Sequence, residues 1–110
     1  MTTPFEQLAS VDRLIHEPSR LSILTALSAC EKADFLFLLN LSGLTKGNLS
    51  SHLAKLEHSG MVRIEKTFEG KHPVTYAMMT PEGRAALKLY WKRFDKVRQS
   101  IKALKPLRTT

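Results

Sequence analysis

The stretch LTKGNLSSHLAKLEHSGMV, residues 44–62, constrains the fold of this chain more than any other. Leu49, Leu53 and Leu56 recur at helical spacing and fall on one narrow face, which must lie on a core. Thr45 can cap the helix at its start, and Gly60 closes it. Directly beyond Gly60 the apolar period changes from helical to alternating. Val62, Ile64 and Phe68 point one way, and Arg63, Glu65 and Thr67 the other, as in a half-buried strand. Lys66 is the odd member on the apolar side and belongs near a sheet edge. EGKHP then reads as a turn and VTYAMM as a second strand, so the pair forms a hairpin.

The segments on either side follow from punctuation. Asp34 can cap FLFLLNLS, and Gly43 ends that helix where a positive φ is cheap. Two helices joined by a few residues containing Gly form a helix-turn-helix pattern. Upstream, Pro18 opens the helix of RLSILTALSA, with Leu21, Leu24 and Leu27 on one side and Ile23 beside them. Phe5, Leu8, Ala9, Val11, Leu14 and Ile15 form a rougher helical stripe before it. A very short strand near Ala33 can pair with the hairpin. After the hairpin, Thr80 caps and Pro81 opens a last helix from about Glu82 to about Leu104, with Pro106 beyond. A chain of 110 residues suits one domain with a real core. The sequence contains no internal repeat, interdomain linker or low-complexity tract. The expected class is mainly α with a small β-hairpin (α+β).

The Thr45 helix turns an unusual face away from its leucines. Gly47, Ser51, Lys55 and His58 lie broadly opposite the core, flanked by Lys46, Asn48 and Ser50. An ordinary surface helix would carry more Glu, and Gly, Asn and Ser are poor helix formers. A surface that needs low bulk explains their presence: small residues let a helix sink into a major groove. There Asn can read adenine, Lys can read guanine or hold phosphate, and Ser can bond either. The amides around Lys46 and Gly47 can also receive a phosphate. His52, at the edge of the core face, can bond a phosphate or cap a buried carbonyl. Lys71 and His72 sit at the hairpin tip, with Lys66 and Arg63 behind them. Such groups supply position and affinity more than sequence reading. Glu69 is adverse for phosphate contact unless it points at Lys71. The net charge of +7 fits a polyanionic partner as well as a lysine-rich surface.

Other classes find little support. The single cysteine, Cys30, permits neither an internal disulfide nor a cysteine-rich metal site, and a reducing, cytoplasmic home is the simpler expectation. No histidine or carboxylate stands at ligand spacing to His52 or His58, so no metal is expected. No nucleophile has an acid–base partner nearby in sequence, and Gly43, Gly47, Gly60 and Gly70 are isolated rather than gathered in a phosphate-cradling loop. Neither an enzyme nor a cofactor is expected. MTTPFEQLAS lacks the pattern of a secretory signal, and no apolar run approaches the ~20 residues that span a bilayer.

In the last helix Leu87, Tyr90, Trp91, Phe94, Val97, Ile101 and Leu104 recur at three and four residues. They trace a near coiled-coil seam about 27 Å long. A helix this long outreaches a domain of this size, so the seam is expected to self-associate, with Phe5, Leu8 and Leu14 as companions. Its outer face carries Lys88, Lys92, Lys96 and Lys102, which can meet flanking phosphates or simply keep the helix soluble. FLFLL covers too many directions for one stripe: Phe35, Leu38 and Leu39 suffice for packing, leaving Leu36 or Phe37 exposed or covered by a terminal helix.

HEPSRLSILTAL, LSGLTKGNLSSHLAKLEHSGMV and KTFEGKHPVTYAMMTPEG, in that order, resemble the winged-helix DNA-binding family. This family lies within the broad multiple-antibiotic-resistance and arsenic-repressor class of prokaryotic transcriptional regulators. The resemblance implies a winged helix-turn-helix core over residues 16–83, with terminal helices at 1–15 and 84–110 that build a homodimer. It implies that Thr45–Ser59 is the recognition helix and Glu69–Pro73 the wing tip. Carried over residue by residue, it gives DNA contact to Lys46, Asn48, Ser50, Ser51 and Lys55, with Lys71 and His72 on the wing. Metal-sensing relatives carry paired cysteines on the helix before the recognition helix, where this chain has Leu38, Leu39 and Asn40. The expected function is a homodimeric, sequence-specific regulator that binds double-stranded DNA. A non-specific DNA organiser and a protein–protein module stand as alternatives, and no residues identify a small-molecule effector.

Overall fold

In a computed structural model, the structure describes residues 12–104 together with Thr3 and Glu6. Helix α1 spans Pro18–Ser28, strand β1 Ala33–Asp34, helix α2 Phe35–Ser42 and helix α3 Lys46–His58. Strands β2, Val62–Glu69, and β3, His72–Met79, form the hairpin, and helix α4 runs over Pro81–Ala103. The sheet has three antiparallel strands in the order β1-β3-β2.

Local chemistry sets most boundaries. The side chains of Asp34, Thr45 and Thr80 accept hydrogen bonds from Phe37 N, Asn48 N and Gly83 N, which are otherwise unpaired first-turn amides. Gly43 closes α2 with φ 67°. Glu17 caps α1 by accepting from Arg20 N. This cap escapes a reading of the sequence because Glu is not among the favoured capping residues. Before α1, where a helical stripe was expected, residues 13–15 form a single turn, with His16 N donating to Asp12 O and Leu14 N to the Asp12 carboxylate. Asp12 offers that turn its own acceptor in competition with helix. The rest of the stripe, including Phe5 and Leu8, lies outside the described residues, as does Pro106.

The hairpin is longer than the alternating pattern suggested. Its last pair is Glu69 with His72, which leaves Gly70 and Lys71 as a two-residue loop. Gly70 has φ 64°, and among the described residues no non-glycine residue has a positive φ. Positive φ at the first central position alone is the requirement of a type II′ turn, which matches the twist of the strands. Pro73 sits in the middle strand, yet β1 pairs only with Tyr76 and Ala77. At Pro73, β3 therefore has a free edge, and the missing N–H disrupts no second ladder.

Ile15, Ile23, Leu24, Leu27, Leu38, Leu49 and Leu56 are fully buried and join α1, α2 and α3 to Val62, Ala77 and Met79 of the sheet. Each such side chain contributes roughly 1.5–3 kcal/mol through burial. Gly83, in the first turn of α4, makes the closest backbone approach. A Cβ there would stand 2.1 Å from the Met61 carbonyl oxygen. Thr80 clamps the same place: its hydroxyl donates to Gly60 O and its amide to Met61 O. The end of α3, the start of β2 and the start of α4 are thereby fixed together.

Candidate nucleic-acid interface

The buried edge of α3 is Leu49, Leu53 and Leu56, and they hold the helix as a rigid rod on the core. Thr45, Lys46, Gly47, Asn48, Ser50, Ser51 and Lys55 are all exposed on its other side. The Thr45 hydroxyl bonds the Asn48 backbone amide at 3.1 Å, which engages only the main chain of Asn48. No acidic residue lies in the first turn, so the positive end of the helix is unopposed there. At Gly47 the space a Cβ would enter is empty, so no neighbour in the fold requires a glycine there.

His52 is half-buried, with its Nδ1 turned toward the start of α1. Nδ1 lies 3.2 Å from a guanidinium nitrogen of Arg20 and 3.9 Å from the Glu17 carboxylate. A guanidinium only donates, so Nδ1 is the acceptor and the proton resides on Nε2. The ring is locked to the start of α1, and Nε2–H is its remaining donor. Arg20 also donates through Nε to Leu14 O, so one side chain ties the turn before α1 to α3. Partial burial pushes the Glu17 carboxyl up, but the Arg20 and Ser19 amides, the charge that His52 carries when protonated and the Arg20 charge outweigh it, and its pKa falls below the ordinary value.

The period of two divides the basic residues of β2. Lys66 and Ile64 line a cleft of about 370 Å³ together with Ser50, Ala54 and Glu57 of α3, so Lys66 stands beside α3. Arg63 falls on the opposite face of the sheet, donates to the Met78 sulfur at 3.1 Å and borders a hollow with Glu31 and Arg84. It is not gathered with the other candidate contacts. Lys71 and His72 are exposed at the tip. Glu69 does not turn to Lys71; its carboxylate accepts the Tyr76 hydroxyl, while the Lys32 ammonium lies 4.2 Å from the centre of the Tyr76 ring. The bond to Glu69, followed by desolvation and the Glu69, Asp34 and Glu65 charges, raises the Tyr76 phenol above its ordinary pKa.

The α4 seam divides as well. Leu87, Tyr90 and Val97 are already buried within the single chain. The Tyr90 hydroxyl bonds His16 Nδ1 at 2.8 Å, and burial raises the Tyr90 pKa. Leu87 and Tyr90 pack into the core of the single chain, and Phe94 is half-buried against the same core. Trp91, Ile101 and Leu104 remain 40, 53 and 62% exposed. Trp91 also closes an open groove along α1 lined by Leu21, Thr25, Ala26 and Leu41. Leu36 and Phe37 are both exposed. Among the described residues no group of three or more His, Cys, Asp or Glu side chains could hold a metal ion, and no helix is long and apolar enough to cross a membrane.

Comparison with known proteins meets this geometry. An uncharacterised protein of Methanocaldococcus jannaschii is 35% identical over 78 residues, covering 71% of this chain and 85% of the relative. The structure of a transcriptional regulator homologue from Pyrococcus horikoshii OT3 superposes with a TM-score of 0.80 at 26% identity, over 89% of this chain and 96% of that one. A MarR-family transcriptional regulator from Streptomyces coelicolor, solved in complex with DNA, shares the fold with a TM-score of 0.66 at 23% identity, over 96% of this chain and 79% of that one. Residues 19–98 match the winged helix DNA-binding domain family, a family defined by binding DNA and not by catalysis. The chain belongs to this winged-helix DNA-binding family.

Proposed function

We propose that the protein is a sequence-specific transcriptional regulator that binds double-stranded DNA as a homodimer. The carrying observation is the outer face of α3: Lys46, Gly47, Asn48, Ser50, Ser51 and Lys55 are exposed, small, polar or basic, on a helix anchored by buried leucines. In this reading α3 enters the major groove. Asn48, Ser51 and Lys55 read base edges, while Thr45, Lys46, Gly47 and Ser50 fit close to the backbone. His52 offers Nε2–H to a phosphate from the flank. Lys66, Lys71 and His72 bring the wing to the adjacent backbone or minor groove. Trp91, Ile101 and Leu104 supply the dimer surface. That dimer presents two recognition helices to two half-sites.

Selection from a random duplex library, followed by sequencing, tests the proposal. A palindromic consensus is the expected result. Enrichment without a consensus would make the protein a non-specific organiser of DNA. No enrichment at all would leave the fold serving contact with another protein.

A further inference from the structure

The wing carries a large aromatic side chain that the fold does not use. Phe68 is 69% exposed, although it continues the apolar face of β2. Val62 and Ile64 of that face pack inward, and Lys66 lines the cleft beside α3. Alternation puts Phe68 on the same side of the sheet, one step nearer the tip. Its cross-strand partner is Pro73, which is also exposed. Ring and pyrrolidine thus stand opposite each other as one apolar pair, between Lys66 and the tip residue Lys71. The neighbouring carboxylate is held out of the way, because Glu69 lies on the other face and accepts the Tyr76 hydroxyl. The wing is therefore two-sided. The side continuous with α3 carries Lys66, Phe68 and Pro73; the far side carries Arg63, Glu65, Glu69, His72 and Tyr76.

We propose that Phe68, backed by Pro73, is an apolar wedge that the wing presses into the minor groove of duplex DNA, partly unstacking one base step. The proposal rests on the DNA-binding reading above. The flanking lysines and the continuity with the α3 cleft name DNA as the occupant, since both neighbours of the ring complement phosphate. Apolar side chains inserted between base steps kink the duplex toward the major groove, and flexible pyrimidine–purine steps yield most readily. Phe68 would then select the flank of a site by its deformability, without a hydrogen bond to any base.

The probe is the tightest-binding duplex recovered from the random library, with 2-aminopurine placed in turn along each flank. Its emission rises where a base unstacks. Wild-type protein is expected to brighten one flanking position, and Phe68→Trp to preserve that signal. Phe68→Ala is expected to abolish it and to weaken binding about tenfold, the order of one lost aromatic–base contact. Its far-UV circular dichroism should be unchanged, because the ring is exposed. Equal affinity and equal emission for wild type and Phe68→Ala would overturn the wedge while leaving DNA binding intact. An altered oligomeric mass for Phe68→Ala would also overturn it, by placing the ring in a protein interface. Failure of the wild type to bind any duplex would remove both readings together.

Discussion

Asn48 and Lys71 occupy two different kinds of exposed position. Asn48 projects from a rigid helix with its backbone already satisfied by Thr45. Lys71 stands at the end of a two-residue loop. Asn48→Ala is expected to cost ~1–3 kcal/mol on the preferred duplex and far less on scrambled DNA, if the carboxamide makes a bidentate base contact. Lys71→Ala should weaken both duplexes alike, because a phosphate contact carries no sequence code. Parallel titrations separate these outcomes. The tyrosines give an independent check on side-chain placement. The chain has only Tyr76 and Tyr90, and both phenols lie above their ordinary pKa, the first through its bond to Glu69 and the second through burial. A raised folded pKa contributes stability below the unfolded value of about 10, and that stability is lost as pH rises through the folded value. Tyrosinate absorbance should therefore develop later on the alkaline side in folded than in urea-unfolded protein. Glu69→Gln should bring one of the two steps back toward the unfolded position.

At the scale of elements, the joint between α3, β2 and α4 holds the recognition helix and the wing in a fixed relation. Gly83→Ala would drive a methyl group into the Met61 carbonyl, a backbone atom that cannot step aside cheaply. We expect a loss of roughly 1–3 kcal/mol or more, as for overpacking in a filled core. Urea denaturation would measure it, and an unchanged midpoint would contradict the close approach. Most boundaries here were legible in the sequence. Asp34, Thr45 and Thr80 as caps, Gly43 as a stop, the short strand at Ala33 and the switch of period after Gly60 are local chemistry, and local chemistry is written in consecutive residues. The leucine face of α3 was legible for the same reason. What escaped depends on contacts far apart in the chain. The Gly83 approach, the Arg20 hold on His52 and the Tyr76 bond to Glu69 link residues whose meeting is decided by tertiary packing. Periodicity also could not divide α4. It marks Tyr90 and Trp91 alike as apolar, yet packing buries one and leaves the other open. Phe68 shows the converse, since alternation gave it a core face but the sheet extends past the core.

For the whole molecule, α4 is the longest element, about 34 Å at ~1.5 Å per residue. Its far half carries apolar side chains that the single chain leaves open. Ile101→Glu is expected to split the proposed dimer, because it sets a charge on an apolar contact, while the buried residues Leu87 and Tyr90 keep the fold intact. Light scattering should report the monomer mass with an unchanged helical spectrum. Affinity for the selected duplex should fall as the second half-site loses its linked binding event. A folded Ile101→Glu variant with unchanged mass would place the interface elsewhere on the molecule. The central claim joins a recognition helix on each protomer to a two-fold arrangement on DNA. Hydroxyl-radical footprinting of the wild-type protein on the selected duplex tests it most directly. The account predicts two protected half-sites related by two-fold symmetry, centred ~34–36 Å apart or at a multiple of that spacing. A single protected half-site, or uniform protection with no defined centre, would contradict it.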